Sequence, residues 1–515
     1  MDDSDRAKYP DLDDVGSNVS LDSAADVDHP DAVFTNQEQD GQPDDRLNLS
    51  KELTKTLTLP PLADNDPFYD RFTNGQKRIF VSIVAFTCFL SPISNLAFAP
   101  AIPEVASSLR STSQTINVSN AVYNVFMGIS PMMLSPLASI YGKKPIMILS
   151  AGGYTITSIL TAVSQNLAMF FIFRALNAFF GTCCFSVGGS IVGDIKVPKE
   201  RGRAMSWVLL GTQLGPTIGP VLGGIIITYT NWRVIFWAVT GLGALDLLLI
   251  IFFLKETSRV VVAQEIRKKT GKRFVFVSYN PFRVIWAFKY LNLILAGIMS
   301  TSILFSFYGL LTPIRHVINP RFNLNSPVLG SLFYLAPGVG LVLGGPLGGR
   351  YADHMVKKWI IKRDGERVSE DRLRSILWSI GFLMPASMLV YGWSLEKRKG
   401  GMALPIISMF CYAIGQTIAF PSMNSYCVDC LPSLKGDAIA SNYFARYIVG
   451  GCVASATCLV QINNIGIGWT STISCFVLLF GFMNCVFLIH FGAPLRLKAL
   501  EKIERKKQAQ KETKN

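Results

Sequence analysis

Twelve apolar stretches of membrane-crossing length dominate this chain. A helix that crosses the hydrocarbon core of a bilayer needs about 20 consecutive apolar residues, and such stretches recur through the sequence. The composition agrees, because 50% of the residues are hydrophobic and only 16% are charged. We therefore predict an all-α membrane protein. The twelve predicted spans are 79–103, 116–139, 145–164, 168–193, 204–228, 234–254, 291–314, 327–349, 375–395, 403–426, 438–461 and 469–491.

Span 5 carries a regular ladder of glycine and proline. Between Gly202 and Gly224 the chain fits the pattern G-x8-G-x3-GP-x2-GP-x2-GG at every position. Glycines four residues apart share one helix face and let a neighbouring helix approach closely, while prolines bend the axis. Tight packing alone explains the glycines, but packing of span 5 against the other half of the protein would also seal a central cavity against proton leak. The ladder residues are Gly202, Gly211, Gly215, Pro216, Gly219, Pro220, Gly223 and Gly224.

Charge is distributed unevenly along the chain. Residues 1–75 hold 18 Asp and Glu against 6 Lys and Arg, which predicts a disordered acidic tail. Beyond it, every second loop carries most of the lysine and arginine, and positively charged loops remain in the cytosol. Both termini are therefore predicted to be cytosolic, although the basic cluster 397–399 falls on the outer side.

A long basic connection divides the spans six and six. We predict an N-terminal six-helix bundle at 76–256, a basic cytosolic linker at 257–288, a C-terminal six-helix bundle at 289–492 and a basic cytosolic tail at 493–515. Transporters built from such repeats bind substrate near the membrane midplane, where the two bundles meet.

The chain resembles the major facilitator superfamily, and within it the fungal twelve-span drug:proton antiporter group, which includes the quinidine and fluconazole resistance types. The resemblance covers about 80–510 and rests on the ladder and on the segments FIFRALNAFFG, GDIKVPKERGRAM, NWRVIFW, KET, YLAPGVGLVLGGPLGGRYAD, GERVSEDRLRS and NSYCVDCLPSLKGDAIASNYFARY. It implies two bundles that rock around a central cavity and a proton-driven export cycle.

The resemblance also implies a cytosolic gate. In the family an acid after span 2 pins the cytosolic helix ends together, but here Ser139 stands at that position and Ser135 replaces the usual glycine. We therefore expect a weaker latch in the first half, and a salt bridge from Asp194 to the nearby arginines. The predicted gate residues are Gly142, Lys143, Lys144, Asp194, Arg201, Arg203, Arg350 and Asp353.

Two charged residues inside spans are predicted to serve proton coupling, because charge is costly in lipid and marks function by default. The resemblance implies that Arg174 tunes the proton-binding group; a structural arginine satisfied by backbone carbonyls is the alternative. Asp246 is the only carboxylate deep in any predicted span. Burial favours its neutral form, which makes it a formal candidate for the proton carrier. A neutral Asp246 hydrogen-bonded to a neighbouring helix is the other explanation.

Polar and aromatic residues within the spans are predicted to line a pocket of moderate size, suited to drug-sized amphiphiles. Asn442 and Arg446 share one face of span 11 and could face the cavity or brace span 2. For each of the others, packing between helices explains the residue equally well. The predicted cavity residues are Asn95, Asn120, Tyr123, Asn124, Asn177, Gln213, Tyr308, Tyr334, Tyr412, Gln416, Asn424, Asn442 and Arg446.

The predicted function is proton-coupled export of drug-like or amphiphilic small molecules by alternating access. The sequence contains no legible Walker pattern, nucleophile–base pair or metal cluster, so we predict a non-enzyme without cofactor or metal. The lack of a carboxylate on span 1 favours neutral or weakly charged substrates.

The predicted partners are a small-molecule substrate, protons and the lipid bilayer with its anionic headgroups, and no nucleic acid. We expect a monomer in the plasma membrane, with the vacuolar membrane as the alternative. A proton-coupled importer or facilitator, and a non-transporting sensor of the same fold, are the alternative functions.

Overall fold

Long helices make up nearly all of the described chain. The computed structural model describes residues 67–196, 198–258, 261, 283–324, 326–364, 368–430 and 435–512, and no strand occurs among them. The helices of the first half are α1 (Asn74–Leu96), α2 (Ser113–Tyr141), α3 (Lys143–Ala162), α4 (Leu167–Ile195), α5 (Pro198–Tyr229) and α6 (Trp232–Phe253).

The second half repeats this plan. Its helices are α7 (Leu291–Leu311), α8 (Leu335–Lys362), α9 (Asp371–Glu396), α10 (Ala403–Cys430), α11 (435–465) and α12 (467–512). Short π-helical turns interrupt α9 at Ser379–Leu383 and α11 at Ala445–Cys452.

The twelve predicted spans appear as eleven continuous apolar helices within the described residues, and the last of these holds two crossings. This helix, Ala438–Glu501, is 64 residues long, about three times the length needed to cross the roughly 30 Å hydrocarbon core. Gly466 interrupts it with φ 83° and ψ 167°. A positive φ is accessible to glycine at little cost, so Gly466 separates α11 from α12 without a loop.

Capping residues begin several of the helices. Thr73 and Gln76 form a reciprocal capping box at the start of α1, and the side chains of Thr112, Asn166 and Asn231 cap α2, α4 and α6. Such caps satisfy backbone N–H groups that have no partner within the helix.

The halves meet along two pairs of helices. Within the first half α1 packs on α5, and α3 packs on α4 and α6; within the second half α8 packs on α10, and α7 and α9 pack on α12. Between the halves, α5 contacts α8 and α2 contacts α11. Side chains that point between these pairs therefore lie at the junction of the two halves.

Two predicted boundaries differ in the structure. Pro67–Arg71 forms a short 3-10 turn and α1 begins at Asn74, so the end of the predicted tail 1–75 is ordered; the rest of that tail lies outside the described residues. Most of the predicted linker 257–288 also lies outside them. The predicted C-terminal tail 493–515 continues α12 as helix to residue 512, because its Lys, Glu, Ala, Leu and Gln residues favour helix.

Candidate functional site

A cavity lies at the junction of the two halves. Its volume is about 90 Å³, and a single water needs about 10–15 Å³ on this scale, so several waters would fit. The first half contributes α1, α2, α4 and α5 to its wall, and the second half contributes α7, α10 and α11. The lining residues are Pro92, Asn95, Leu96, Met127, Phe185, Leu209, Thr212, Gln213, Pro216, Leu304, Phe307, Tyr308, Gln416, Phe420, Asn424, Tyr443, Arg446 and Tyr447.

Six of the predicted cavity residues are among these lining residues, and they come from five helices. Their contact with a substrate remains a prediction, but the structure brings their side chains together. They are Asn95 on α1, Gln213 on α5, Tyr308 on α7, Gln416 and Asn424 on α10, and Arg446 on α11.

Arg446 is a buried cation in the cavity wall. The residue is only 4% exposed. Its guanidinium carbon lies 4.4 Å from the ring centre of Phe420 and 4.3 Å from that of Tyr443. The Nε and Nη2 atoms have no hydrogen-bond partner among the described residues. One helical turn earlier, Asn442 donates from Nδ2 to Asn424 Oδ1 at 2.9 Å. Asn442 therefore holds a lining residue in place from behind.

A hydrogen-bonded chain links the halves through Tyr308. Asn95 Nδ2 donates to the Tyr308 hydroxyl at 3.1 Å, and that hydroxyl donates to Asn124 Oδ1 at 2.8 Å. Asn124 Nδ2 in turn donates to Ser455 Oγ at 3.1 Å. Because Asn95 and Asn124 belong to the first half and Tyr308 and Ser455 to the second, Asn124 braces the junction behind the cavity wall.

Two predicted cavity residues lie in the interior of the first half. The Tyr123 hydroxyl donates to the carbonyl of Ser91 at 3.1 Å. Asn177 Nδ2 donates to Ser158 Oγ at 2.7 Å. Both side chains are bonded to neighbours within their own half, and neither is among the residues that line the cavity.

Two more lie in the interior of the second half. The Tyr412 hydroxyl donates to the carbonyl of Ile303 at 2.7 Å, and the Tyr334 hydroxyl donates to the carbonyl of Leu311 at 3.5 Å. Both hydroxyls thus bond to the backbone of α7.

Arg174 occupies an aromatic cage inside the first half. The residue is 1% exposed, and Nη2 donates to Asn120 Oδ1 at 3.1 Å. Its Nε and Nη1 atoms have no hydrogen-bond partner among the described residues, so backbone carbonyls do not satisfy them. Cation–π attraction offsets part of the cost of burying this charge. Its guanidinium carbon lies 3.9 Å from the ring centre of Phe98, 4.9 Å from Tyr123, 5.7 Å from Phe170 and 5.9 Å from Phe236.

Asp246 is fully buried against α1. Thr87 Oγ1 donates to Asp246 Oδ1 at 2.8 Å, while Asp246 Oδ2 has no partner among the described residues. The carboxyl group does not line the cavity. Its hydrogen bond to a neighbouring helix matches the packing explanation, and a role in proton transfer remains a prediction.

The glycine ladder packs on α1 of its own half. A Cβ atom added at Gly211 would lie 2.0 Å from the carbonyl oxygen of Ala85, and one at Gly223 would lie 1.7 Å from that of Ala97. Added Cβ atoms at Gly215 and Gly219 would meet the backbone of α1 at Ile93. The four-residue periodicity therefore seats α1 on α5, which corrects the expected partner of this face.

Contact between α5 and the second half uses Gly224 of the ladder and Thr217, which lies between ladder residues. A Cβ at Gly224 would lie 2.3 Å from Ser331 Oγ, and Thr217 occupies the space beside Gly338 of α8. Of the two prolines, Pro216 lines the cavity and Pro220 lies one turn further along α5. The backbone of Gly202 lies in α5, but its surroundings fall outside what the structure describes.

Glu256 joins the ends of α2, α3 and α6 on the lysine- and arginine-rich face. Gly142, at φ 100°, turns the chain between α2 and α3. The backbone N–H groups of Lys143 and Lys144 each donate to the Glu256 carboxylate at 3.0 Å, and Ser258 N donates to it at 3.0 Å. Burial alone would raise the pKa of Glu256, but these donors outweigh burial and hold its pKa below the usual range.

Lys143 pairs with Asp194. The Lys143 ammonium binds the Asp194 carboxylate and donates to the carbonyl of Ser190 at 3.2 Å, which ties the start of α3 to the end of α4. Lys144 Nζ donates to the carbonyl of Ile251 at 3.0 Å. Three of the predicted gate residues thus contact one another or adjacent helix ends.

The other predicted gate residues are less informative. Arg350 is exposed near the middle of α8. The side chains of Arg201, Arg203 and Asp353 lie outside what the structure describes. The predicted salt bridge from Asp194 to the two arginines therefore stays a prediction.

A second ionic network, which we did not predict, ties the corresponding end of the second half. Burial raises the pKa of Glu370, with Arg496 opposing that shift. The ion pairs are Arg363–Asp371 at 2.8 Å, Arg372–Asp429 at 3.1 Å, and Arg374–Asp371 and Arg496–Glu370 at 3.5 Å.

Several residues that shape the site were missed for different reasons. Glu256, Glu370, Asp371 and Asp429 stand in segments that carry the family resemblance, but sequence spacing does not reveal which distant helix ends they join. The aromatic lining had no signal, because a phenylalanine facing a cavity looks like one facing lipid. The missed aromatic lining residues are Phe185, Phe307, Phe420, Tyr443 and Tyr447.

Comparison with known proteins agrees with this architecture. The family model described as Major Facilitator Superfamily matches residues 84–455. The chain is 28% identical over 444 residues to the MFS-type transporter hepF of Aspergillus oryzae, covering 82% of this chain and 90% of that protein. It is 25% identical over 437 residues to the efflux pump radE of Floropilus chiversii, covering 81% and 80% respectively.

A solved structure shares the fold. The human organic anion transporter MFSD10 (TETRAN) superposes with a TM-score of 0.57 at 17% identity, covering 79% of this chain and 99% of that one. The helical architecture and the family match over most of the chain lead to one assignment: this multi-pass membrane protein belongs to the major facilitator superfamily.

Proposed function

We propose that this protein is a proton-coupled antiporter that exports amphiphilic small molecules by alternating access. The observation that carries the proposal is the cavity, whose wall is shared by seven helices from both halves. A site built in this way is remodelled whenever one half rocks against the other, so a ligand bound there senses the state of the whole protein.

Export as the direction is supported by the ladder of α5 and by the efflux pump among the relatives. The ladder seats α5 on α1 so closely that backbone meets backbone. Because α1 and α5 both line the cavity, we infer that they move as one unit when the halves rock.

Proton coupling is proposed to involve Asp246 acting through α1. Asp246 bonds Thr87, which lies on the same helix as the lining residues Pro92 and Asn95. Protonation of a buried carboxyl changes what it can donate and accept, and α1 would carry that change to the cavity. Arg174, in its cage near α2 and α4, is proposed to set the local electrostatic potential.

Membrane orientation is part of the proposal. The hydrogen bonds of Glu256, the Lys143–Asp194 pair and the ionic network at Glu370 lie at helix ends that we assign to the cytosol. We place both termini on the same side, in the plasma membrane. The Lys and Arg content of those ends supports this orientation.

Reconstitution tests the function. Purified protein in vesicles should move an amphiphilic test compound against its gradient when the two sides differ in pH, and a protonophore should abolish that movement. Asp246→Asn should uncouple compound transport from the proton gradient, so that the compound is still exchanged but its movement no longer responds to pH. Failure of every compound in a broad panel to respond to the pH difference would overturn the proposal.

A further inference from the structure

We propose that the cavity binds a small aromatic carboxylate, and that Arg446 is the group that recognises its negative charge. The inference rests on the proposed transport function, since it names the class of molecule carried. It also differs from the neutral or weakly charged substrate expected from the sequence.

The charge of the cavity wall is one-sided. Among the eighteen described lining residues, Arg446 is the only one that carries a formal charge at neutral pH, and no Asp, Glu or Lys accompanies it. A buried cation is costly unless an anion or several acceptors face it. Two of its nitrogens, Nε and Nη2, have no partner among the described residues. A ligand carboxylate would supply the missing acceptor, and a planar guanidinium matches two carboxylate oxygens at once.

A carboxamide beside Arg446 is oriented as a second donor. Asn424 Oδ1 already accepts from Asn442 at 2.9 Å, so its NH₂ group, which also meets the Tyr443 hydroxyl, is the part of this lining residue that can donate to a ligand. Asn442 and Arg446 lie four residues apart on α11, which places their side chains on the same helix face. The donors of Arg446 and Asn424 therefore belong to one corner of the cavity.

Aromatic rings surround that corner. Phe420 and Tyr443 lie against the guanidinium, and Phe185, Phe307 and Tyr447 line the remaining wall. Rings of this kind bury the apolar body of a ligand and stack on its own ring. Elsewhere in the wall, on α1, Asn95 Oδ1 lacks a partner among the described residues and can accept from a hydroxyl of the ligand. These groups fit a ring that carries both an anionic group and a hydroxyl.

An amphiphilic cation fits the same wall poorly. Its charge would face Arg446 with no carboxylate among the described lining residues to compensate, and like charges in a desolvated site repel strongly. The cavity therefore discriminates by the sign of the ligand charge.

Three compounds of nearly equal shape test this. 4-Hydroxyphenylacetate, 4-hydroxyphenylacetamide and tyramine are anionic, neutral and cationic at pH 7, and their binding to the purified protein in detergent can be measured by calorimetry or with labelled compound. We expect the acid to bind about tenfold more tightly than the amide, the usual factor for a hydrogen bond to a charged group. Arg446→Gln should remove this preference, bringing the affinity for the acid down to that for the amide. Arg446→Lys should keep part of it.

Arg233→Gln is the matched control, because Arg233 lies at the start of α6 and bonds the carbonyl of Ser164; the preference for the acid should persist in this variant. If Arg446→Gln does not fold, the ratio of the affinities for acid and amide in the wild type and in Arg446→Lys still tests the inference. Equal or tighter binding of the amide or of tyramine, or binding of neither acid nor amide at millimolar concentration, would overturn the inference.

Transport in vesicles separates this inference from the proposed function. Proton-driven movement of tyramine but not of the acid would refute the carboxylate site and keep the antiporter. Selective binding of the acid without any response to a pH difference would keep the carboxylate site and remove the proton coupling.

Discussion

The seating of α1 on the glycine ladder gives a quantitative prediction for Gly211→Ala. The added Cβ would lie 2.0 Å from the carbonyl oxygen of Ala85, and ordinary contact begins at 3.4 Å. The difference, 3.4 − 2.0, means that α5 must retreat from α1 by about 1.4 Å. Because the obstacle is backbone, no rotamer change of a side chain can relieve it.

The cost can be isolated with a matched glycine. Overpacking of this kind costs about 1–3 kcal/mol, while Gly→Ala in a helix interior regains up to about 1 kcal/mol of helix propensity. Gly241 of α6 is helical and has no atom within 4 Å of an added Cβ. Since propensity is common to both sites, the difference in stability between Gly211→Ala and Gly241→Ala gives the steric term alone.

Thermal unfolding of the purified variants in one detergent measures this difference. We expect Gly241→Ala to match or exceed the wild type, and Gly211→Ala to be less stable than Gly241→Ala by about 1–3 kcal/mol. Adding Ala85→Gly should not rescue it, because the clash is with the Ala85 carbonyl rather than its methyl group. If Gly211→Ala unfolded at the same temperature as Gly241→Ala, or if Ala85→Gly restored stability, the packing argument would be refuted.

Three further variants test charged residues within the helices and at helix ends, each by thermal unfolding. Arg174→Lys should destabilise the protein by about 1–2 kcal/mol, because an ammonium group cannot stack flat on Phe98. Asp194→Asn should cost about 1–3 kcal/mol by leaving the Lys143 ammonium without its carboxylate. Glu256→Gln should remove an acid-sensitive contribution: the folded pKa of this carboxyl is depressed, so its stabilisation is present above the unfolded value of about 4.3 and is lost as the pH falls through the folded value.

Different results would contradict each expectation. Wild-type stability of Arg174→Lys would show that charge rather than ring stacking matters in the cage. A loss in Asp194→Asn that is matched by Arg350→Gln, at an exposed position, would point to general surface charge. For Glu256→Gln, a loss of stability at acid pH as steep as that of the wild type would assign the pH dependence to other carboxyls.

The crossings were predictable because a bilayer imposes a length and an apolarity that sequence displays directly. The boundaries between α11 and α12, and the end of α12, were not, since they depend on Gly466 and on helix-forming residues beyond the membrane. The π-helical turn at Ala445–Cys452 likewise had no sequence signal.

The site was predictable only where polarity made it stand out. Asn95 and Arg446 are unusual within apolar spans, and both line the cavity. Periodicity showed that some helix lies on the ladder but could not show that this helix is α1. For Arg174, the residues of its cage come from separate helices, and no spacing along the chain brings Phe98 and Phe236 together.

The single glycine between α11 and α12 couples the tilt of one helix to that of the other. Gly466 turns the chain in one residue, and the Glu396 carboxylate at the end of α9 accepts from Gly468 N at 3.3 Å, pinning the corner. Because no loop separates the two helices at this end, a tilt of α11 at the cavity must also tilt α12. The bilayer around α12 then contributes to the energy of each conformational change, so we expect the transport rate to depend on bilayer thickness and stiffness.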